Sequence, residues 1–228
     1  MVPITRADDE LFSTVIAAAR LGRAQKIVAR LSDRYGQEWG VPMAALPYAL
    51  SMVALMQLDL TSDGLDEKKS VYNYGEIIES LGDLLYGVPE HWLARYLRIR
   101  TRTMMMPPSH AEYPEFVVEE RARAAKDADE LIARQAGAEW QPWFASTYLL
   151  AARVAWESEE RDLDRVRGLV AEATSRPAAP IEFPALGSLL REPFIWYLGQ
   201  PELPDHEAVS RTLAALFAGR RPVSAGVE

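Results

Sequence analysis

The sequence predicts an all-α protein: an α-solenoid of about four antiparallel helix pairs plus a C-terminal capping helix. Three observations predict it. Apolar residues recur at three- and four-residue spacing along most of the 228 residues. No window alternates apolar and polar residues with β-branched enrichment. The periodic stretches are joined by short connections bearing Gly or Pro, which favour antiparallel neighbouring helices.

The first helix is expected over 8–32, with Leu11, Val15, Ala19, Ile27, Val28 and Leu31 on one face and Tyr35-Gly36 at its end. A second runs from Pro42 or Pro47 to about Leu60. The third, 72–86, turns Ile77, Leu81, Leu84 and Leu85 inward and stops at Gly87. Pro89 opens the fourth, about 90–104, since the missing N–H of proline costs nothing in a first turn; Leu93, Leu97 and Met104 share its inner face. The fifth, 116–135, carries Val117, Ala124, Ala128, Leu131 and Ile132 in register. A sixth spans about 141–157, and a seventh spans 162–175 with Leu163, Val166, Leu169 and Val170 inward. Residues 184–198 give one or two short helices broken near Pro193. Asp205 is the expected N-cap of a last helix bearing Val209, Leu213, Leu216 and Phe217, closed by Gly219. Residues 1–219 read as a single helical-repeat domain and 220–228 as a frayed tail.

Composition narrows the function. Apolar residues make up 49% and charged residues 25%, enough for a core without covalent staples. The absence of cysteine removes disulfides, cysteine-ligated zinc, iron–sulfur clusters and thiol nucleophiles. A net charge of −8 argues against a nucleic-acid partner, whose phosphates demand excess Lys and Arg. Neither a signal peptide nor a membrane span is expected, because the most apolar window, 46–58, is short and holds Pro47, Ser51 and Gln57. The expected location is cytoplasmic. The arginine-over-lysine and alanine bias suggests a GC-rich bacterial genome.

A longer period underlies the helices. Tyr48, Tyr96, Tyr148 and Tyr197 are each followed by leucine within two residues and lie 48, 52 and 49 residues apart. Trp92, Trp143 and Phe194 precede the last three, and Pro42, Pro89, Pro142 and Pro193 open the same helices. Such self-similarity marks stacked units that bury their apolar faces on one another. Over roughly 70–177, through Leu84-Leu85, Pro89, Trp92 and Tyr96 and again from Trp143 to Pro177, the chain resembles tetratricopeptide-repeat proteins. That resemblance implies a helical-hairpin superhelix that binds a protein or peptide along a groove.

Few motifs suggest catalysis. No Gly-x-Gly-x-x-Gly, P-loop or Gly-x-Ser-x-Gly occurs. His206-Glu207 begins like a zinc-protease motif, but Ser210 stands where the second histidine belongs. His91, His110 and His206 are scattered and read as cap or rim residues, so no metal and no cofactor is expected. Residues 59–64 resemble the start of a calcium loop, yet Ser70 occupies the position of its bidentate glutamate, and a polar turn is the better reading.

The most suggestive feature is Arg95, Arg98 and Arg102, spaced three and four apart on the helix that carries Trp92. Guanidinium groups grip carboxylates and phosphates through paired hydrogen bonds. The stripe suits an acidic peptide, a C-terminal carboxylate or a phosphorylated ligand; pairing with carboxylates of adjacent helices such as Glu76, Glu79, Glu119 or Glu120 is the stronger alternative. Trp140, at a helix start, is the aromatic expected to be partly exposed. The run from Met104 to Pro114 reads as either a docking loop or a linker with its methionines in the core. The favoured function is a non-catalytic protein- or peptide-binding scaffold whose partner-binding residues are Arg95, Arg98, Arg102, Trp92 and Trp140. The alternative is an enzyme or accessory subunit of a bacterial small-molecule (specialised-metabolite) pathway, with a site between helices drawn from Glu119, Glu120, Asp127 and Arg98.

Overall fold

Helical periodicity becomes eleven helices in the computed structural model, which describes residues 1–21, 23–38, 40–59 and 67–218. They are α1 (Arg6–Arg20), α2 (Ala24–Gln37), α3 (Ala45–Asp59), α4 (Glu67–Gly87), α5 (Trp92–Met104), α6 (Pro108–Ala111), α7 (Pro114–Ala136), α8 (Phe144–Trp156), α9 (Leu163–Ser175), α10 (Gly187–Leu198) and α11 (His206–Leu216). Among the described residues there is no strand, so the all-α class is established. The candidate calcium loop beyond Asp59, Gly219 and the tail 220–228 lie outside the described residues.

The stretch expected as one helix over 8–32 is two. α1 starts on a capping box, in which Thr5 accepts the Asp8 N–H at 3.3 Å and Asp8 accepts the Thr5 N–H at 2.8 Å. It closes where the Leu21 N–H turns back to the Ala18 carbonyl. The reason is visible in the spacing: between Ala19 and Ile27 the only hydrophobic side chains are Leu21, which is exposed, and the small Ala24, which is buried as the first residue of α2. α2 then runs through Gly36 to Gln37.

Burial sorts the helices. α3 is apolar around its whole circumference, with Leu46, Leu50, Val53 and Met56 all buried, as a central helix must be. α5 and α8 are buried along nearly their full length. Tyr48, Tyr96, Tyr148 and Tyr197 fall on α3, α5, α8 and α10, and all four are buried. Consecutive long helices pack side by side from α1 to α5, then through α7, α8 and α9, and α10 packs on α11. Contacts also join α1 to α3, α5 to α8, α8 to α10 and α9 to α11. Buried Asp9 of α1 accepts the backbone N–H groups of Ala185 at 2.9 Å and Leu186 at 2.7 Å, which ties the start of the chain to the entry of α10.

Two expectations about the last helices are corrected. Pro193 does not break α10, which continues through it. Proline removes the N–H that would have met the Leu189 carbonyl one turn back. The Tyr96 hydroxyl, arriving from α5, donates to that carbonyl at 3.1 Å, so the buried acceptor keeps a partner. Asp205 does not cap α11 through its side chain, because its backbone is left-handed at φ 60° and a capping residue needs an extended one.

The histidines and methionines are also placed. His91 is buried rather than at a rim, and its Nδ1 accepts the Ala94 N–H at 3.2 Å as the N-cap of α5. Desolvation lowers its pKa, opposed by Asp8 and Glu90. Met105 is buried, and Met104 and Met106 pack against the core, so the 104–114 segment is anchored around the short helix α6.

Tyr96→Phe should cost about 1–3 kcal/mol in urea unfolding, the penalty of an orphaned buried carbonyl. In a Pro193→Ala background, where the substituted alanine supplies the missing N–H, the same change should cost much less. Equal costs in both backgrounds would show that the hydroxyl does not compensate the proline.

Candidate functional site

The arginine stripe sits at the floor of a cleft between α4 and α7. α5 sets it up: Trp92, Leu93, Tyr96 and Leu97 face the core, which leaves Arg95, Arg98 and Arg102 on one side, toward α7. On α7 the inner residues Ala124, Ala128 and Leu131 leave Arg123, Lys126, Asp127 and Glu130 on the adjoining face. α4 contributes Gly82, Leu85 and Tyr86. The cleft measures about 400 Å³.

Asp127 is the hub. Its Oδ1 accepts from Arg95 Nη1 at 2.9 Å and Arg98 Nη2 at 2.5 Å, and its Oδ2 accepts from Arg98 Nε at 2.7 Å and Arg102 Nη1 at 2.7 Å. Four charge-assisted bonds fill the acceptor sites of one carboxylate, with Arg98 in the two-pronged fork. Arg95 also meets Glu130 at 2.6 Å and donates to the Pro89 carbonyl at 3.0 Å. Burial lowers the pKa of Arg95, against which Asp127 and then Glu130 act to raise it. Arg102 Nε reaches Glu120 at 3.2 Å, and Glu120 is completed by the Tyr74 hydroxyl at 2.6 Å and Arg123 at 2.8 Å. Desolvation, then Glu120, raises the pKa of the Tyr74 hydroxyl and keeps it a donor.

The stripe therefore does pair with a neighbouring helix, through Asp127, Glu120 and Glu130 rather than through Glu76 or Glu79. Pairing does not make the cleft neutral. Arg95, Arg98, Arg102, Arg123 and Lys126 line it against Asp127 and Glu130, with Glu120 behind. Lys126 is exposed and has no ionic partner among the described residues, and Arg123, half exposed, is paired with both Glu119 and Glu120. Gly82 faces open space, where an added Cβ would meet no atom within 4 Å.

The aromatic candidates are placed elsewhere. Trp92 is wholly buried, stacked on Tyr96 at 4.9 Å between ring centroids, and does not face the cleft. Trp140 is half-buried, as expected, near Phe144 and Tyr148, with the Arg176 guanidinium 5.7 Å from its ring. The structure thus gathers Arg95, Arg98 and Arg102 into one site and leaves Trp92 and Trp140 outside it. Sequence reasoning missed Arg123, Lys126, Glu130, Gly82 and Tyr86. The signal for the first three was present, because 123, 126 and 130 share one helix face with Asp127, adjoining the face of Ala124, Ala128 and Leu131. Of the residues named for a catalytic alternative, Arg98 pairs with Asp127 and Glu120 joins them through Arg102, whereas Glu119 is exposed and pairs with Arg123. Among the described residues no group of three His, Asp or Glu could hold a metal ion, and no helix is long and apolar enough to cross a membrane.

No family model, no curated protein and no solved structure matches this chain.

Asp127→Ala should destabilise the fold by about 3–5 kcal/mol, because three largely buried guanidinium groups would lose their shared carboxylate. Lys126→Ala should change stability by less than about 0.5 kcal/mol. Thermal or urea unfolding of both variants checks the contrast, and a mild loss for Asp127→Ala would contradict the hub.

Proposed function

We propose that this protein is a non-catalytic binding scaffold that holds an acidic segment of a protein or peptide in the cleft between α4 and α7. The observation that carries the proposal is the surplus of cationic side chains lining an open cleft on a chain of net charge −8. A local positive field on an acidic protein steers an acidic partner to one place and repels it elsewhere. The buried arginines and Asp127 give the cleft a rigid floor. Arg123 and Lys126 supply reach at its rim, and the outward edge of Arg98, 18% exposed, completes the receiving surface. Preorganised groups of this kind bind without the ordering cost that free side chains carry.

The proposal extends to the architecture, read as a stack of helical hairpins: α1/α2, α3/α4, α5/α7, α8/α9 and α10/α11. What supports it is the packing of each helix on its sequence neighbour, together with the contacts α1–α3, α5–α8 and α8–α10 between first helices of successive hairpins. The placement of the four spaced tyrosines on first helices adds to it. In this reading first helices pack on one another within the pair α1–α3 and within the run α5–α8–α10, and the binding surface is the edge of α5 between its two flanking second helices.

The test is fluorescence anisotropy with a labelled Asp/Glu-rich decapeptide against an uncharged peptide of equal length. The expected result is preferential binding of the acidic peptide, weakened by salt. It should fall at least tenfold in Arg123→Glu with Lys126→Glu, and in Gly82→Leu, which fills the cleft without altering charge. Equal binding by wild type and both variants would overturn the proposal.

A further inference from the structure

Tyr86 lines two cavities. One is the cationic cleft; the other, about 330 Å³, lies against the last turns of α2 and α4, where Tyr35, Val41, Pro42 and Asp83 join it. The Tyr86 side chain is 94% exposed, an unusual position for a large aromatic ring with no partner to cover it. The second cavity has the opposite electrostatic character to the first. Asp83 accepts the Tyr35 hydroxyl through Oδ2, and its Oδ1 has no partner among the described residues. Glu79, one turn back on α4, is exposed and likewise unpaired among the described residues.

Two features of the backbone add to this field. α2 and α4 both end at the cavity, and a helix C-terminus carries partial negative charge from its unbonded carbonyls. The last turn of α4 contains no basic residue to compensate it. The walls are also built to shape. Gly40 takes φ 98°, which glycine adopts without strain, and a Cβ on Gly87 would lie 2.0 Å from Pro42 Cγ, so only glycine lets the 40–42 turn close on the end of α4. Tyr35 in turn is stacked on Tyr48 at 5.6 Å, and Tyr48 donates to Glu76 at 2.6 Å, which fixes the ring from behind. Burial and then Asp83 raise the pKa of the Tyr35 hydroxyl, so it stays protonated and donates to the carboxylate.

Aromatic walls, a carboxylate with a free oxygen and two converging helix C-termini are the elements that recognise an organic cation. We infer that the cavity of Tyr35, Asp83 and Tyr86 binds the ammonium or guanidinium end of a lysine or arginine side chain. Because Tyr86 is the shared wall, such a side chain belongs to the same partner as the acidic group in the neighbouring cleft. That second statement, unlike the first, rests on the proposed function. The partner segment then carries an acidic residue and a basic residue close together, one for each cavity, on either side of the Tyr86 ring.

The first experiment uses Nα-acetyl-lysine methylamide as probe and follows backbone amide NMR signals of the full chain. Saturable shifts are expected at Gly40, Asp83, Tyr86 and Gly87. They should be lost in Asp83→Asn and at least fivefold weaker in Tyr86→Ala, while Tyr86→Phe retains them. Absence of saturable shifts in the wild type, or shifts of the same size in Asp83→Asn, overturns the cation site. Asp83 and Tyr86 are exposed, so neither variant endangers the fold. The second experiment compares three decapeptides: acidic only, basic only, and mixed with one Lys next to the acidic run. Mixed binding at least fivefold tighter than acidic only, with the gain abolished by Asp83→Asn, supports the two-cavity partner. Acidic-only binding with no gain from the lysine overturns the two-cavity partner and leaves the proposed function standing. Basic-only binding with no acidic binding overturns the proposed function and the shared partner but leaves the cation site standing.

Discussion

The arrangement of this surface depends on one carboxylate. Asp127 holds three arginines of α5 at once, and its four accepted bonds determine how α5 and α7 face each other. Like-charged guanidinium groups at three- and four-residue spacing repel, and removing them from water adds a further cost. A single buried acid that accepts from all three turns that repulsion into a rigid block. Glu120 extends the block to α4 through Tyr74 and to the cleft rim through Arg123. Everything proposed for the cleft follows from this: Asp127, Glu120 and Glu130 are committed to arginines, Arg123 at the rim is held by Glu119 and Glu120, and Lys126 beside it has no ionic partner among the described residues.

The rest of the core obeys a second constraint of the same kind, that buried polar groups must find partners. Pro193 creates an orphan carbonyl inside α10, and the Tyr96 hydroxyl arrives from α5 to satisfy it. Arg100, on the opposite side of α5 from the stripe, is held by Glu192 of α10 at 2.6 Å. Asp9 binds the two backbone donors that open the approach to α10. Polar contacts of long sequence separation thus tie α1, α5 and α10 together where apolar packing alone would leave their relative placement less determined. One helix, α5, presents a cationic face to α7 and a mixed face to α10, and this asymmetry is what leaves the stripe at a cleft instead of in the core.

Much of the helical layout was legible because it follows from spacing. Ile77, Leu81, Leu84 and Leu85, or Val166 and Val170, announce their faces by period alone. The break between α1 and α2 was harder, since Leu21 looks like a continuation of an inner face but lies exposed at the cap. Pro193 misled for a different reason: part of what a proline costs a helix is its freed carbonyl, and here the donor that satisfies that carbonyl comes from 93 residues away. Asp205 carries a capping side chain, yet its left-handed backbone turns it from the helix it precedes. At the cleft, the arginine stripe could be read from α5, whereas its partners could not, because helix pairing rather than spacing decides which acids meet it. Tyr86 gives no signal in sequence at all; it ends a helix like any other aromatic, and only the fold places it between two cavities of opposite charge.

The central claim is that the cleft keeps cationic groups available to an anion despite its internal pairing. NMR of the arginine Nε–Hε signals during titration with inorganic phosphate at low ionic strength tests it most directly. The account predicts saturable shifts for Arg123 and Arg98 and none for Arg100, whose guanidinium is held by Glu192 on the far side of the same helix. Shifts absent from all three, or equal in Arg100 and Arg123, would contradict it.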